Sequence, residues 1–215
     1  RSLAKQRGMD VFVSDSNNIS DKYKAELRAA NIDFEEGHHT QEKILNASEV
    51  IKSPGIPEKA PIMQMIRSRQ LHVISEIEFA SRFTSNTIIA ITGTNGKSTT
   101  TSLTHHILVK AGLDAALVGN IGKSFARQIA EHDAKYYVAE ISSFQLDDIH
   151  EFRADVAILT NITEDHLDRY DYRFENYINS KFRITMNQTP ADVFIYCEDD
   201  PVTMQYIRNY IIKSN

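Results

Sequence analysis

The sequence predicts an α/β protein in two parts. Residues 1–86 form a small Rossmann-like domain, and residues 87–215 a mostly parallel α/β domain of the P-loop ATPase type. Three observations carry this. Short apolar runs alternate with helical stretches along the chain, the pattern of a parallel sheet covered on both faces. One such run, Thr87-Ile88-Ile89-Ala90-Ile91, leads into the glycine-rich stretch TGTNGKSTT, which opens a helical segment at 98–111. The polar run Thr84-Ser85-Asn86 is the best linker and sets the boundary near residue 86.

Residues 1–8 read as the tail of a helix closed by Gly8. Residues 9–13 read as a short strand followed by Ser14-Asp15-Ser16. A strand ending in an acidic residue fits the second strand of a dinucleotide-type unit, where the carboxylate reaches a ribose or base edge. A plain turn carrying Ser and Asp fits the same residues equally well. The glycine-rich first turn of such a unit would lie upstream, and a chain that opens on Arg1 is expected to lack its true start. Residues 21–30 read as a helix capped by Ser20 or Asp21, and 31–34 and 49–52 as strands. His38 and His39 are expected to be solvated in a polar loop. Ser53-Pro54-Gly55-Ile56-Pro57 is a rigid turn in which Gly55 leaves room for a ligand. Residues 63–69 read as helix, 71–74 as strand and 76–83 as helix.

After the glycine-rich turn the alternation continues. Residues 115–118 form a strand with exit turn Gly119-Asn120-Ile121-Gly122, and 124–130 a helix. Residues 136–139 form a strand ending at Glu140, followed by ISSFQL. Residues 155–159 form a strand with exit loop 160–170. A helix at 174–187, a strand at 193–196 and a helix at 201–213 complete the chain.

Composition narrows the function. The net charge is −5 with no long basic run, which disfavours nucleic acid as the main ligand. The single cysteine, Cys197, allows no internal disulfide and fits a reducing, cytoplasmic setting. No apolar run approaches the roughly 20 residues that span a bilayer, and no signal peptide is visible. A membrane partner is therefore not expected.

The chemistry centres on the spacing Gly-x-x-Gly-Lys-Ser-Thr, shorter than the usual Walker loop. Gly93 and Gly96 permit a tight turn. The backbone around Gly93, Thr94, Asn95, Gly96, Lys97, Ser98 and Thr99 then directs amides at one anion, which the helix dipole favours. Lys97 adds a positive charge for terminal phosphates, and Ser98 a hydroxyl suited to Mg²⁺. Ligands in such sheets bind beyond the carboxyl ends of the strands. If the strands are parallel, Asn120, Glu140, Ser142, Ser143 and the run Asn161-Thr163-Glu164-Asp165-His166-Asp168 crowd the same edge. Carboxylate, imidazole and phosphate loop together suggest Mg²⁺ held between protein and nucleotide. Glu140 fits either that role or a cap of the next turn. Acidic neighbours of His166 are placed to orient its ring.

Lys181 stands out independently. Phe174, Tyr177, Ile178, Phe182 and Thr185 recur at helical spacing, and Lys181 falls within their apolar stripe. It either snorkels to solvent or faces an active site, where burial lowers its pKa and makes the amine reactive. His105 and His106 read as structural. Among reactive signatures, His-Glu-x-x-His, Cys-x-x-Cys, Gly-x-Ser-x-Gly and Asn-Lys-x-Asp do not occur.

Taken in order, ITGTNGKSTTT, GNIG, EISSFQL and NITEDHLDRY resemble the Mur ligases of peptidoglycan synthesis. VFVSDS and SPGI extend the match into the first domain, and EISSFQL is nearer to the D-glutamate-adding branch than to its sisters. The resemblance implies three domains: a uridine-nucleotide domain, a central ATPase domain and a C-terminal Rossmann-like domain. This chain would hold most of the first, much of the second and none of the third, so it would not turn over alone. It implies ATP-dependent ligation of D-glutamate to UDP-N-acetylmuramoyl-L-alanine through an acyl phosphate, in a cytoplasmic monomer serving cell-wall synthesis, cell shape and division. Lys97 would contact the β/γ-phosphates, while Ser98 and Glu140 would hold one Mg²⁺. His166, which lies near the substrate, and a carbamylated Lys181 would hold a second. Asn120, Ser142 and Gln145 would face the muramoyl substrate, and Asp15, Ser16 and Gly55 its uridine-diphosphate end. Another ligase of the superfamily, such as a folylpolyglutamate synthase, is the runner-up. For the chain by itself, a binding module without catalysis is a third reading.

Overall fold

The structure, a computed structural model, describes residues 1–209 and 212–214. The chain divides into two compact units, Arg1–Ile74 and Ser75–Asn215.

The first unit runs α1 (Ser2–Gln6), β1 (Phe12–Asp15), α2 (Asp21–Ala29), β2 (Asp33–Glu36), α3 (Gln41–Leu45), β3 (Glu49–Ile51), α4 (Pro61–Ser68) and β4 (His72–Ile74). β1 pairs with β2 and β3 with β4, both in parallel. Side chains alternate across β1. Val11 and Val13 pack on Ile19, Leu27 and Ile32, while Phe12 joins Ile44, Met63, Ile66 and Val73. β1 lies further along the chain than expected, because Ser14 and Asp15 pair with Glu35 and Glu36 and carry the strand into polar sequence. β2 also begins late. Asn31 takes φ 50° just after α2, a left-handed position that ends the helix and turns the chain. The one-turn helix α3 has no counterpart in the sequence reading.

The second unit opens with α5 (Glu76–Ser81). The compact division at Ile74 lies upstream of the linker at 84–86. The reason is that α5 buries Ile77, Phe79, Ala80 and the acidic Glu78 in this unit, with Glu76 half-buried beside them. Glu76 accepts the Ala126 amide at 2.6 Å, and the fully buried Glu78 accepts the amides of His150, Glu151 and Phe152 at 2.8–3.0 Å.

Then follow β5 (Thr87–Thr92), α6 (Lys97–Lys110), β6 (Ala115–Gly119), α7 (Phe125–Glu131), β7 (Tyr136–Glu140), α8 (Ser143–Leu146), β8 (Val156–Leu159), α9 (Phe174–Phe182), β9 (Val193–Tyr196) and α10 (Pro201–Ile207). Five parallel strands lie in the order β6-β7-β5-β8-β9. Runs such as Tyr137-Val138-Ala139 are wholly buried, as strands covered on both faces require. β5 sits at the centre. Its neighbours β7 and β8 leave the sheet at the same end, so their exit loops flank the glycine-rich turn.

Two helices are shorter than expected. α9 gives way after Phe182 to a 3-10 turn, Arg183–Thr185, where the Arg183 guanidinium donates to the carbonyls of Leu146 and Ile149. α10 ends at Ile207, and residues 210 and 211 of the expected 201–213 helix lie outside the described residues. Among the described residues no helix is long and apolar enough to cross a membrane.

Candidate active site

The site is built from β5 outward. At its end Gly93 takes φ 143°, and a Cβ there would stand 1.9 Å from Thr160 Oγ1. Only glycine admits both the conformation and the contact. Gly96, at φ 80°, caps the start of α6. Thr94 is half-buried, whereas Asn95, Gly96, Ser98 and Thr99 are exposed at the turn and the first turn of the helix. The turn opens onto the positive end of a 14-residue helix, an arrangement that suits an anion.

Two lysines meet at the turn. Lys97 Nζ donates to the carbonyls of Gly93 at 2.9 Å and Thr94 at 2.8 Å. Lys181 Nζ donates to Gly93 O at 2.7 Å. Lys181 is 1% exposed, so the snorkelling alternative is overturned. Its amine lies 4.5 Å from the centre of the Tyr177 ring. Burial, helped by the nearby Lys97 charge, pushes the Lys181 amine down to about 7, against the pull of Asp165 and Asp147. Such an amine is substantially neutral, hence nucleophilic, near pH 7.

Glu140 ends β7 opposite Ile91 and Gly119. It is 1% exposed, and its Oε1 accepts Asn120 Nδ2 at 2.7 Å. Its Oε2 is buried with no hydrogen-bond partner. An orphaned carboxylate oxygen at a strand end beside a phosphate turn suits a cation. Asn120 is held close because its own amide donates to Glu140 O at 2.9 Å, and a Cβ on Gly119 would lie 2.3 Å from that oxygen. The cap of the next turn is Ser142, not Glu140. Ser142 and Gln145 form a reciprocal capping box on α8. Gln145, expected to face a substrate, is buried and engaged in that box, whereas Ser142 is half-buried.

After β8 the chain crosses the glycine-rich turn. Thr94 Oγ1 exchanges hydrogen bonds with the backbone of Thr163 and lies 3.2 Å from Tyr177 Oη. His166 follows at φ 51°, exposed, with its amide on Asp165 Oδ1 at 2.9 Å and its Nε2 3.5 Å from Asp165 Oδ2. Asp165 is thus the acidic neighbour that orients it. The imidazole packs on Phe144, ring centres 5.2 Å apart, and Phe144 stacks on Tyr170, which in turn meets Tyr177. This aromatic chain ties His166 to the helix of Lys181. Ser180 Oγ adds a bond to Ser143 O at 3.0 Å, fixing α9 against α8. Among the described residues no three His, Cys, Asp or Glu side chains gather as a ready-made metal site.

In the first unit, Asp15 and Ser16 are exposed where β1 ends, with Asp15 Oδ1 accepting the Asn17 amide. Gly55 is exposed in the turn after β3, with nothing within 4 Å of where a Cβ would stand. His39 is not simply solvated, since its Nδ1 lies 2.6 Å from Ser14 Oγ, which donates to Glu35. Burial pushes the Glu35 carboxyl up, but hydrogen bonds from Thr40 and Ser14 outweigh it and hold the group down at about 2.

Sequence reasoning placed Asn161 and Thr163 at the edge of the turn without naming what they bond there; it missed Tyr177, which reaches the turn from α9, and Thr160 in the exit loop. The signal was the polar run directly after an apolar strand, where side chains point at whatever the neighbouring strand presents.

Residues 91–214 match the profile of the Mur ligase middle domain, and residues 1–62 that of the MurD N-terminal domain. A UDP-N-acetylmuramoylalanine--D-glutamate ligase from Bacteroides fragilis is 55% identical over 213 residues, 99% of this chain and 48% of the relative. The protein of the same name from Cytophaga hutchinsonii is 57% identical over 214 residues, again 99% and 48%. The chain therefore spans about half the length of the curated relatives it matches. In fold it is similar to the UDP-N-acetylmuramate:L-alanyl-gamma-D-glutamyl-meso-diaminopimelate ligase of Neisseria meningitides, with TM-score 0.65 and 18% identity, covering 98% of this chain and 70% of that one. UDP-N-acetylmuramate-alanine ligase from Thermotoga maritima gives TM-score 0.55 at 22% identity, covering 94% and 46%. With the middle-domain profile spanning more than half of its residues, the chain belongs to the Mur ligase family.

Proposed function

We propose that the polypeptide carrying this chain is an ATP-dependent ligase that joins D-glutamate to UDP-N-acetylmuramoyl-L-alanine in peptidoglycan synthesis. The observation that carries this is the buried Lys181 amine bonded to the first carbonyl of the phosphate turn. A P-loop kinase or a plain nucleotide binder has no use for a second, desolvated amine there. The names and identities of the long relatives support the substrate assignment. The first domain takes the uridine-diphosphate end through Asp15, Ser16 and Gly55, the central domain takes ATP, and a third domain downstream completes the D-glutamate site.

In this reading the amides of Gly96 to Ser98 receive the β- and γ-phosphates, and Lys97 leaves its loop carbonyls to join them. Glu140, held by Asn120, and Ser98 would hold the nucleotide Mg²⁺, and the partnerless Glu140 Oε2 supports that fit. Mg²⁺, when bound, neutralises phosphate charge as the carboxylate approaches. The neutral Lys181 amine adds CO₂, forming an N–C bond and releasing one proton, which yields a carbamate able to hold a second Mg²⁺ with His166. The terminal carboxylate of UDP-N-acetylmuramoyl-L-alanine attacks the γ-phosphorus, giving an acyl phosphate and ADP. The D-glutamate amine attacks the acyl carbon, losing a proton, and the resulting tetrahedral species expels phosphate. Several anions converge, so electrostatic stabilisation is the main contribution of the protein. Asn120 and Ser142, with Gln145 shaping their loop, border the muramoyl group. A cytoplasmic monomer is part of the same proposal.

The test is phosphate release by the natural-length polypeptide. Release with ATP, UDP-N-acetylmuramoyl-L-alanine and D-glutamate supports the reading. Release only with a folate and L-glutamate assigns the runner-up ligase, and nucleotide binding without release assigns a binding module.

A further inference from the structure

The phosphate turn does not hold its shape alone. The Asn161 carboxamide grips both backbone groups of Asn95. Its Oδ1 accepts the Asn95 amide at 3.0 Å, and its Nδ2 donates to the Asn95 carbonyl at 3.0 Å. Thr160 Oγ1 donates to the same carbonyl at 2.7 Å, and the Thr94 amide donates to Asn161 O at 2.9 Å. Asn95 is exposed and lies between two glycines with left-handed φ, so its own chain gives it little restraint.

We propose that Asn161 is a positioning residue for the nucleotide, which sets the Asn95 peptide and so presents the following amides to phosphate. This rests on the ligase reading for the identity of both ligands. Asn161 acts through Asn95. Because Asn161 Oδ1 already occupies the Asn95 N–H, the anion is received by the amides after it, at the start of α6. Rigid pre-orientation of those donors before the ligand arrives is a source of affinity. The clamp also joins two parts of the site. Thr163, whose backbone exchanges bonds with Thr94 Oγ1, lies three residues before His166. The phosphate turn and the loop that carries His166 are therefore bonded to each other, which a turn folded only on itself would not achieve.

The experiment measures equilibrium binding of Mg·ATP and of UDP-N-acetylmuramoyl-L-alanine by calorimetry, with thermal melting, in the natural-length polypeptide. Asn161→Ala removes two hydrogen bonds and is expected to weaken Mg·ATP about tenfold. The sugar nucleotide should shift by less than about twofold, because Asn161 touches neither its uridine-diphosphate end in the first domain nor the Asn120 and Ser142 loops assigned to its muramoyl group. Thr160→Val removes one bond to the same carbonyl and is expected to weaken Mg·ATP by roughly threefold. Should Asn161→Ala fail to fold, the Thr160→Val result decides. Unchanged Mg·ATP affinity in the folded variants overturns the proposal, as does an equal loss of both ligands with a lowered melting point, which marks a general scaffold. If the unaltered protein binds no Mg·ATP, the nucleotide reading itself fails and takes this inference with it.

Discussion

Lys97 and Lys181 donate to one and the same backbone oxygen, that of Gly93, at 2.9 and 2.7 Å. Two amines on one carbonyl repel each other whenever both are charged, and that repulsion helps lower the Lys181 pKa. The arrangement is costly for a protein at rest. In the proposed reading it would become favourable once a nucleotide phosphate draws Lys97 away or CO₂ turns Lys181 into an anion.

The first prediction concerns that cost. Lys181→Met keeps the volume and removes a desolvated amine, so it should stabilise the fold by about 1–2 kcal/mol while abolishing ligation. Melting and phosphate release on the same preparation check it. A fall in melting temperature contradicts the prediction, because it would make Lys181 a structural residue.

Glu140→Gln should separate charge from shape. The amide retains an oxygen for Asn120 but loses the anionic oxygen that stands without a partner. Acyl-phosphate formation should fall by about 10²–10³-fold, the range for a group that stabilises developing charge. The melting point should hold or rise. Turnover at the unaltered rate refutes the assignment of Glu140 to the nucleotide metal.

Gly119→Ala tests how Asn120 is delivered to Glu140. Gly119 has φ 96°, and an added Cβ would meet the Glu140 backbone oxygen at 2.3 Å. The chain must shift there, with a stability loss of about 1–3 kcal/mol. Nucleotide affinity should weaken with it. A variant as stable as its parent means that β6 yields more readily than its packing suggests.

A pH-dependent prediction comes from Asp192. It is buried and accepts two bonds from the Arg153 guanidinium, at 2.8 and 2.6 Å, besides those of Thr189. The hydrogen bonds from Arg153, joined by those from Thr189 and by the Arg153 charge, outweigh burial and hold its carboxyl at about 2, below the ordinary 3.8. A carboxyl with a lowered folded-state pKa binds its proton more readily when unfolded. Its stabilisation is therefore complete above pH 4 and lost as pH falls through about 2. Asp192→Ala should cost about 1–3 kcal/mol at pH 7, and the gap between variant and parent should narrow between pH 4 and 2. A gap independent of pH contradicts the ion-pair account.

Much of this was legible in the sequence because it depends on local order. Lys181 was visible as a break in the run of Phe174, Tyr177, Ile178 and Phe182, and Glu140 as the first charge after an apolar strand. Residues whose partners are distant in the chain were not. Nothing in the sequence around Glu76 and Glu78 names their partners, yet they accept amides from residues 126 and 150–152 of the second unit, and the compact boundary falls before them at Ile74. The polar run after β8 puts Asn161 at the edge of the turn, but nothing local names Asn95 as its partner. The Ser142-x-x-Gln145 spacing is that of a capping box, which the structure forms at the start of α8, a local role the sequence analysis does not assign to these two residues.

The most direct test follows an oxygen atom. UDP-N-acetylmuramoyl-L-alanine labelled with ¹⁸O in its terminal carboxylate is turned over with ATP and D-glutamate by the natural-length polypeptide. The account predicts one ¹⁸O in the released phosphate, carried there through the acyl phosphate. Phosphate free of label, with ligation proceeding, would contradict it.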